Sequence, residues 1–468
     1  MITVDLNKND NKPLYVKVYE SIKSDIESGR IAPLEKLPSK RALAEHLGVS
    51  VITIQNAYAQ LIAEGYIRAE ERRGFFAADL SQFIREKAGK QHSEPRLSES
   101  EEVKEEELLI DVSSVYGDIR QFPFSVWTNK MRYVISENYD KILNMVPNKG
   151  LWELRVAISN HLYKFRGIEV DPNLIYIGSG ADYNYGMIVK LLGRDKVYAV
   201  EDPGYDNIRL TYKIEGVNTR FIALDEHGIR VDKLKDSDAD IVHISPTHQY
   251  PTGISMPVKR RKELLEWAYE KEGRYIIEDD YDSEYRFEGR PLPTMQSIDP
   301  GGKVIYMNSF SKTIAPSLRI CYLILPEKLA KEYDKMLGYF PCPVCSFEQY
   351  VLAEFIKDGH FERHINRMRR YYKQNKDEIY SLIRNSPLGK KSEIREELAG
   401  LHFTLKLKTD KSDAQLKEEA RKRGLGISFI SEFASEVNEE VNSLLMINYS
   451  VADIGEMKTV VDILSEIV

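Results

Sequence analysis

The chain has 468 residues (54.0 kDa) with 42 % hydrophobic and 30 % charged side chains and a mean hydropathy of −0.41, a balance that excludes a disordered chain and a small disulfide-stapled module. No apolar run approaches the roughly 20 residues of a bilayer span. The start, MITVDLNKNDNKPLYVK, lacks the apolar stretch of a signal peptide, so a cytoplasmic address with reduced thiols at Cys321, Cys342 and Cys345 is expected. The net charge of −7 argues against a chain that coats nucleic acid, so any DNA binding must be local.

The first 80 residues read as three short helices followed by a hairpin. One helix is predicted over Leu14–Ser28, ending at Gly29, and two more lie in LPSKRALAEHLGVSVITIQNAYAQLIAEGYI, where Leu43, Leu47, Val49, Ile54, Ala57, Tyr58 and Leu61 keep helical spacing across a Gly48 turn. YIRAEERRGFFAADL then reads as two β-rich stretches around Arg72, Arg73 and Gly74. This is a winged helix-turn-helix pattern. It places Ser50 and Thr53 at the N-terminus of an outward-facing helix, where hydroxyls and backbone N–H groups meet phosphates or base edges. Lys40 and Arg41 flank the same groove, and Arg72 and Arg73 tip the wing. Charge count adds nothing, since 11 Lys and Arg balance 11 Asp and Glu in residues 1–80. The pattern alone also admits a helical oligomerisation or ligand-sensing module.

From Glu86 to Glu107 the chain reads EKAGKQHSEPRLSESEEVKEEE, without an aromatic residue and too polar to offset its ordering entropy. We read three regions: a DNA-binding domain over 1–80, a linker over 81–110 and a large domain over 111–468. The large domain carries β-rich runs LIYIG (174–178), KVYAV (196–200), TRFIAL (219–224), DIVHIS (240–245), RYIIED (274–279), KVIYMN (303–308) and RICYLIL (319–325), spaced by helical segments. They predict an α/β fold with a mixed, mainly parallel sheet covered on both faces. Long amphipathic helices and a smaller C-terminal α+β subdomain follow.

Chemistry concentrates in NSFSKTIAPSLR, where Ser309, Ser311, Lys312 and Arg319 fall within 11 residues at a strand end. A desolvated amine suits Schiff-base chemistry, and hydroxyls with a guanidinium suit a phosphate dianion. Pyridoxal 5'-phosphate (PLP) demands both, although the segment in isolation also reads as an ordinary surface Lys and Arg. Other strand ends add complementary groups: Asp279 for a protonated pyridine nitrogen, Tyr281 for the ring's phenolic oxygen, and Tyr205 as a stacking face. Ser179, Gly180 and Ala181 offer free backbone N–H groups at a helix start for the phosphate.

One motif points elsewhere. Cys342-x2-Cys345 and His360-x3-His364, separated by 14 residues, have the spacing of a Cys2His2 zinc site. The flanking residues read as long helix rather than as an independent finger, so no metal is expected.

Residues 13–78 resemble a GntR-type winged helix-turn-helix domain. Residues from about Asp111 to Val468 resemble a fold type I, aspartate-aminotransferase-like PLP domain, through FPFSVW, NKGLWELRVAI, SGADYNY, EDPGY, SPTHQYPTG, EDDYDSEY, SFSKTIAPSLR, GHFERHINRMRRYY and AGLHF. Together they resemble the MocR/GabR family of transcriptional regulators. The resemblance implies DNA contacts from Arg41, Ser50, Thr53 and the wing around Gly74, an internal aldimine at Lys312, and PLP contacts from Asp279, Tyr281, Tyr205, Ser179, Gly180, Ala181, Ser309, Ser311 and Arg319. It also implies a head-to-tail homodimer.

Several residues depart from the family pattern. Val51 stands where arginine is usual, Leu34-Glu35 replaces Pro-Gly, Asn144 stands where many relatives have tyrosine, and Tyr250 replaces the asparagine of NPTG. No arginine follows Arg423, so the usual anchor for a substrate carboxylate is missing and efficient transamination is not expected. The expected function is a DNA-binding regulator sensing PLP itself or an amine or amino-acid ligand. The rivals are a working aminotransferase with a DNA-binding appendage and a cofactor-free DNA-binding scaffold.

Overall fold

The structure is a computed structural model that describes residues 12–71, 73–79, 108–113, 119–287, 292–395, 400–435 and 441–468. It divides into two compact units, Met1–Glu105 and Glu106–Val468. The linker read over Glu86–Glu107 and the wing residue Arg72 lie outside the described residues.

In the first unit, helix α1 (Leu14–Glu27) buries Val18, Ile22 and Ile26, spaced by four along one face. Strand β1 (Lys36–Leu37) leads to α2 (Lys40–Leu47), which Ser39 caps by accepting the Ala42 N–H at 3.2 Å and which ends at Gly48 with φ +66°. Helix α3 (Val51–Ala63) and the hairpin β2 (Ile67–Glu70) and β3 (Gly74–Ala77) complete an antiparallel β1-β3-β2 wing. Buried Val18, Ile22, Leu43, Ile54 and Leu61 form its core, and the Tyr58 hydroxyl donates to the Pro38 carbonyl at 2.9 Å. Leu34 adopts φ +65°, a left-handed conformation that costs a leucine roughly 1 kcal/mol relative to glycine.

The second unit is built on eight strands. Chain order gives β5 (Ile175–Gly178), β6 (Val197–Asp202), β7 (Asn218–Asp225), β8 (Gly228–Ile229), β9 (Ile241–Ile244), β10 (Tyr275–Asp279), β11 (Val304–Ser309) and β12 (Cys321–Ile324), and the sheet order is β5-β12-β11-β10-β9-β6-β7-β8. The run β11-β10-β9-β6-β7 is parallel, while β12 is antiparallel to both its neighbours and β8 to β7. Adjacent residues of one strand serve opposite faces. Ile175 and Ile177 pack with helices α4 (Phe124–Glu137) and α5 (Trp152–Arg166), whereas Tyr176 packs with α6 (Ala181–Leu192) and α7 (Asp206–Glu215). Val242, Ile244 and Ile276 pack against α8 (Val231–Asp236) and α9 (Val258–Tyr269). The predicted strands and their helical coverage are thus present.

Beyond the sheet, Gly359 at φ +69° separates α10 (Ser346–Lys357) from α11 (His360–Asn385). The C-terminal subdomain is an antiparallel sheet of β13 (Ser392–Arg395), β14 (His402–Leu407), β16 (Ser428–Phe429) and β17 (Leu444–Asn448), in the order β13-β14-β17-β16. Its core closes against α11 and the final helix Ile454–Ile467. The short β4 (Ile110–Asp111) pairs in parallel with β15 (Leu425–Gly426), tying the start of this unit to the subdomain near its end.

Because the first unit has its own core, Leu61→Ala is expected to cost it about 3 kcal/mol and to melt it selectively. Calorimetry of the full chain should then show one transition lowered and the large-unit transition unmoved.

Candidate functional site

The parallel strands end at one edge of the sheet, and the polar residues are gathered there. Gly178 ends β5, Asp202 ends β6, Asp279 ends β10 and Ser309 ends β11; Arg319 precedes antiparallel β12 and so starts at the same edge. Crevices outside the carboxyl ends of such strands bind ligands. Here the pocket is lined by Ala181, Asp182, Tyr185, Tyr205, Asn207, Ile208, Ser245, Tyr250, Asp279, Tyr281, Ser309, Ser311, Lys312 and Arg319. Eight of the ten residues read from the sequence as cofactor contacts are among them. The other two, Ser179 and Gly180, form the turn that opens α6.

Lys312 follows β11 with its amine 5.9 Å from the centre of the Tyr281 ring. Burial lowers its pKa to about 8, against the attraction of Asp282. About one-tenth of the amine is therefore uncharged at pH 7, on the order of 200-fold more than for an ordinary lysine. Arg319 supplies the guanidinium. It holds φ +46°, a left-handed conformation that costs about 1–2 kcal/mol and persists where the surroundings impose it. A Cβ added to Gly180, itself at φ +101°, would lie 2.4 Å from Arg319 Nη2, so only glycine lets the guanidinium lie against this turn. Ser309 Oγ accepts the Ser311 N–H at 3.1 Å and fixes the hydroxyl-bearing loop.

Asp279 accepts a hydrogen bond from the Tyr185 hydroxyl at 2.6 Å, with His243 Nε2 3.7 Å away. Tyr185 is pushed well above its usual pKa by burial and then by Asp279, so it stays a donor. Tyr205 and Tyr250 meet edge-to-face with centroids 5.3 Å apart. The Tyr281 oxygen lies 3.1 Å from His248 Nδ1, which is also 2.8 Å from Asp282 Oδ2. A carboxylate accepts, so the Nδ1 proton points there, and the Tyr281 hydroxyl keeps its own hydrogen for the pocket. His402, 4.6 Å from the His248 ring, donates through Nε2 to the Pro251 carbonyl; burial foremost drives its pKa well below the usual value.

This donor set fits PLP: a nucleophilic amine, a carboxylate for a pyridinium nitrogen, aromatic faces, and a turn, two hydroxyls and a guanidinium for phosphate. Sequence reasoning assigned no role to Tyr185, His243, His248 or Asp282. Tyr185 was detectable as one helical turn beyond Ala181, and His243 as the polar residue in the otherwise apolar IVHI strand. Tyr250, read as a departure from NPTG, lines the pocket as an aromatic wall. In the arginine-free segment after Arg423, Asn448 Oδ1 accepts from the Ser450 N–H and hydroxyl at 2.9 and 2.7 Å.

The zinc-like spacing is absorbed by the fold. His364 Nε2 donates to the Thr313 carbonyl at 2.9 Å, Arg363 donates to His360 Nδ1 at 2.9 Å, and Gln349 approaches the buried Cys342 sulfur at 3.4 Å. No three His, Cys, Asp or Glu among the described residues are grouped to hold a metal ion.

In the first unit, Ser50 caps α3 by accepting the Thr53 N–H at 3.1 Å, and the two hydroxyls lie 2.8 Å apart. The exposed side of α3 carries Val51, Ile52, Gln55 and Asn56 without a charge. Arg41 is exposed at the start of α2, and Lys40 lies 5.3 Å from the centre of the Phe75 ring. Arg73 pairs with Glu70 at 2.6 Å beside Gly74, which takes φ +112° at the hairpin tip.

A winged helix with a capped, outward-facing third helix, followed by an aminotransferase-type sheet with a lysine pocket, defines a two-part regulator class. The comparisons agree. Residues 14–77 match the family of bacterial regulatory proteins, gntR family, and residues 112–435 match aminotransferase class I and II. The HTH-type transcriptional regulator YdeL of Bacillus subtilis is 36 % identical over 92 % of this chain and 92 % of its own. The probable rhizopine catabolism regulatory protein MocR of Rhizobium meliloti is 29 % identical, covering 91 % and 88 %. The pyridoxine biosynthesis transcriptional regulator PdxR of Corynebacterium glutamicum is 28 % identical, covering 92 % and 91 %. Among solved structures, the kynurenine aminotransferase of Pyrococcus horikoshii superposes with a TM-score of 0.69 at 25 % identity, covering 83 % of this chain and 97 % of that one. The chain belongs to the MocR-type family of HTH transcriptional regulators, in which a GntR domain is fused to a domain of the PLP-dependent aminotransferase class I and II family.

The lowered pKa sets a pH expectation that needs no cofactor. Because only the neutral amine attacks, reductive methylation of Lys312 by formaldehyde and cyanoborohydride should rise about tenfold per unit and level off near pH 8. Mass spectrometry of the peptide reads it; a rise continuing towards pH 10 would contradict the desolvated site.

Proposed function

We propose that this protein is a DNA-binding transcriptional regulator whose large domain takes up PLP at Lys312 and whose promoter binding depends on that occupancy. One observation carries the reading: the nucleophilic amine, Asp279 and Arg319 line a single pocket in a chain that begins with a GntR domain. When bound, PLP supplies a carbonyl that reacts with amines and a ring that withdraws electrons.

The chain's own residues have distinct parts in this reading. Lys312 presents the reactive amine. Asp279, steadied by Tyr185, holds a proton at the pyridine nitrogen; Tyr281, its hydrogen left to the pocket, donates to the ring oxygen. Tyr205 and Tyr250 exclude water from the ring, and Ser179, Gly180, Ala181, Ser309, Ser311 and Arg319 hold the phosphate. The missing C-terminal arginine leaves an amino-acid substrate without its usual anchor, which favours PLP itself as the signal over an amine effector. On the DNA side we assign Lys40, Arg41, Arg72 and Arg73 to phosphates and Ser50, Thr53 and the turn at Gly74 to the groove, within a domain of about residues 1–80 joined by a linker over 81–110. We further infer a homodimer: Tyr139, Leu143, Met145 and Tyr339 are 69–83 % exposed in two segments that Asn148 ties together through the Leu337 and Phe340 carbonyls.

Two measurements test this. Added PLP should give the protein a visible absorbance band that Lys312→Ala abolishes, and operator binding should change with PLP in the parent protein but not in the variant. A colourless parent protein, or steady turnover of common amino acids with a 2-oxo acid, would overturn the reading. Arg41→Ala should weaken operator binding about 10- to 100-fold, the value of a lost charged phosphate contact, in a mobility-shift assay.

A further inference from the structure

The phosphate end of the pocket contains an internal competitor. Among the described residues that line the pocket, the cations are Lys312 and Arg319 and the acids are Asp279 and Asp182. Lys312 and Asp279 sit at the ends of β11 and β10, where the ring would lie. Arg319 and Asp182 face each other at the start of α6, with Nη2 and Oδ2 3.2 Å apart and side chains 49 % and 46 % exposed.

We infer that Asp182 is a built-in counter-ion for Arg319 that competes with the ligand's phosphate and lowers the protein's affinity for phosphorylated ligands. The inference rests on the PLP reading and names what tunes that site. A phosphate monoester carries close to two negative charges at neutral pH, and the residue beside its guanidinium is a third. The guanidinium lies against Gly180, where a Cβ would fall 2.4 Å from Nη2, and Asp182 two residues on is its carboxylate neighbour in the pocket. Uptake of phosphate therefore exchanges one anion for another on Arg319. Without ligand, Asp182 satisfies the guanidinium and favours the positive end of the α6 dipole, so the ligand-free pocket is stable as it stands. Such a pocket fills and empties with the ligand's concentration, as a sensor requires.

Equilibrium titration of the full chain with PLP and with pyridoxal, followed by visible absorbance, separates the phosphate contribution. Asp182→Asn keeps the shape and removes the charge; it should tighten PLP binding about 3- to 5-fold and change pyridoxal binding less than twofold. The ligand-free variant should also gain thermal stability from inorganic phosphate at concentrations that leave the parent protein unmoved. Asp182→Ser provides a second variant should the first fail to fold. Equal PLP-to-pyridoxal ratios in parent and variants would overturn the inference while leaving the PLP reading intact; a parent protein that binds neither compound would overturn both.

Discussion

The parallel pairing of β6, β9, β10 and β11 is the constraint on which the rest of this domain depends. It sends the carboxyl ends of the strands to one edge, where the backbone runs out of ladder partners and loops take over. Antiparallel β12 enters the sheet from that edge, so Arg319 joins residues separated from it by up to 140 positions in the chain. No single loop could gather these groups. A register slip in any one strand would move its terminal residue to the opposite face and empty its place in the pocket.

Within that frame the pocket is set by opposing electrostatic demands. Lys312 must be desolvated enough to be partly neutral, yet the same edge also carries carboxylates. Asp282 is directed at His248 rather than at the amine, and Asp279 is engaged by Tyr185. Beneath them, Glu201 is buried and its pKa is raised to about 8 by desolvation, although Oε2 accepts the Ser245 N–H at 3.0 Å. Glu201 is therefore largely protonated at neutral pH and adds little negative charge beneath the pocket. Burial thus acts on Lys312 and Glu201 in the same direction, towards the uncharged form.

Much of this was legible in the sequence. The seven strand runs were visible because a sheet covered on both faces needs continuous β-branched and aromatic stretches, and the pocket residues because each follows such a run. The supporting shell was less legible. Tyr185 and His243 reach Asp279 from a helix and a neighbouring strand, and His248 finds Asp282 across 34 positions; nothing local announces either contact. Spacing alone would have misled in one place, where the flanking helical pattern argued against a metal. The Cys-x2-Cys and His-x3-His pairs fit a zinc site on paper, but α11 is a 26-residue helix whose histidines bond to Thr313 and Arg363. A spacing rule tests distance along the chain, and only packing decides which atoms remain available to a metal.

Aminotransferase chemistry and ligand sensing ask different things of the same pocket. A catalyst gains from a permanently held cofactor and from a substrate anchor that strengthens in the transition state. A sensor gains from a ligand that leaves. Ligand can shift a two-state regulator only through its differential affinity for the two states, and a site that remains filled at all ligand levels shifts nothing. In this chain no arginine follows Arg423, and among the described residues that line the pocket the guanidinium, that of Arg319, has the Asp182 carboxylate 3.2 Å away. On the proposed reading both features subtract binding energy where a catalyst would keep it. On the proposed reading they spare the amine, Asp279, Tyr281 and the aromatic walls of Tyr205 and Tyr250, the groups assigned to holding PLP.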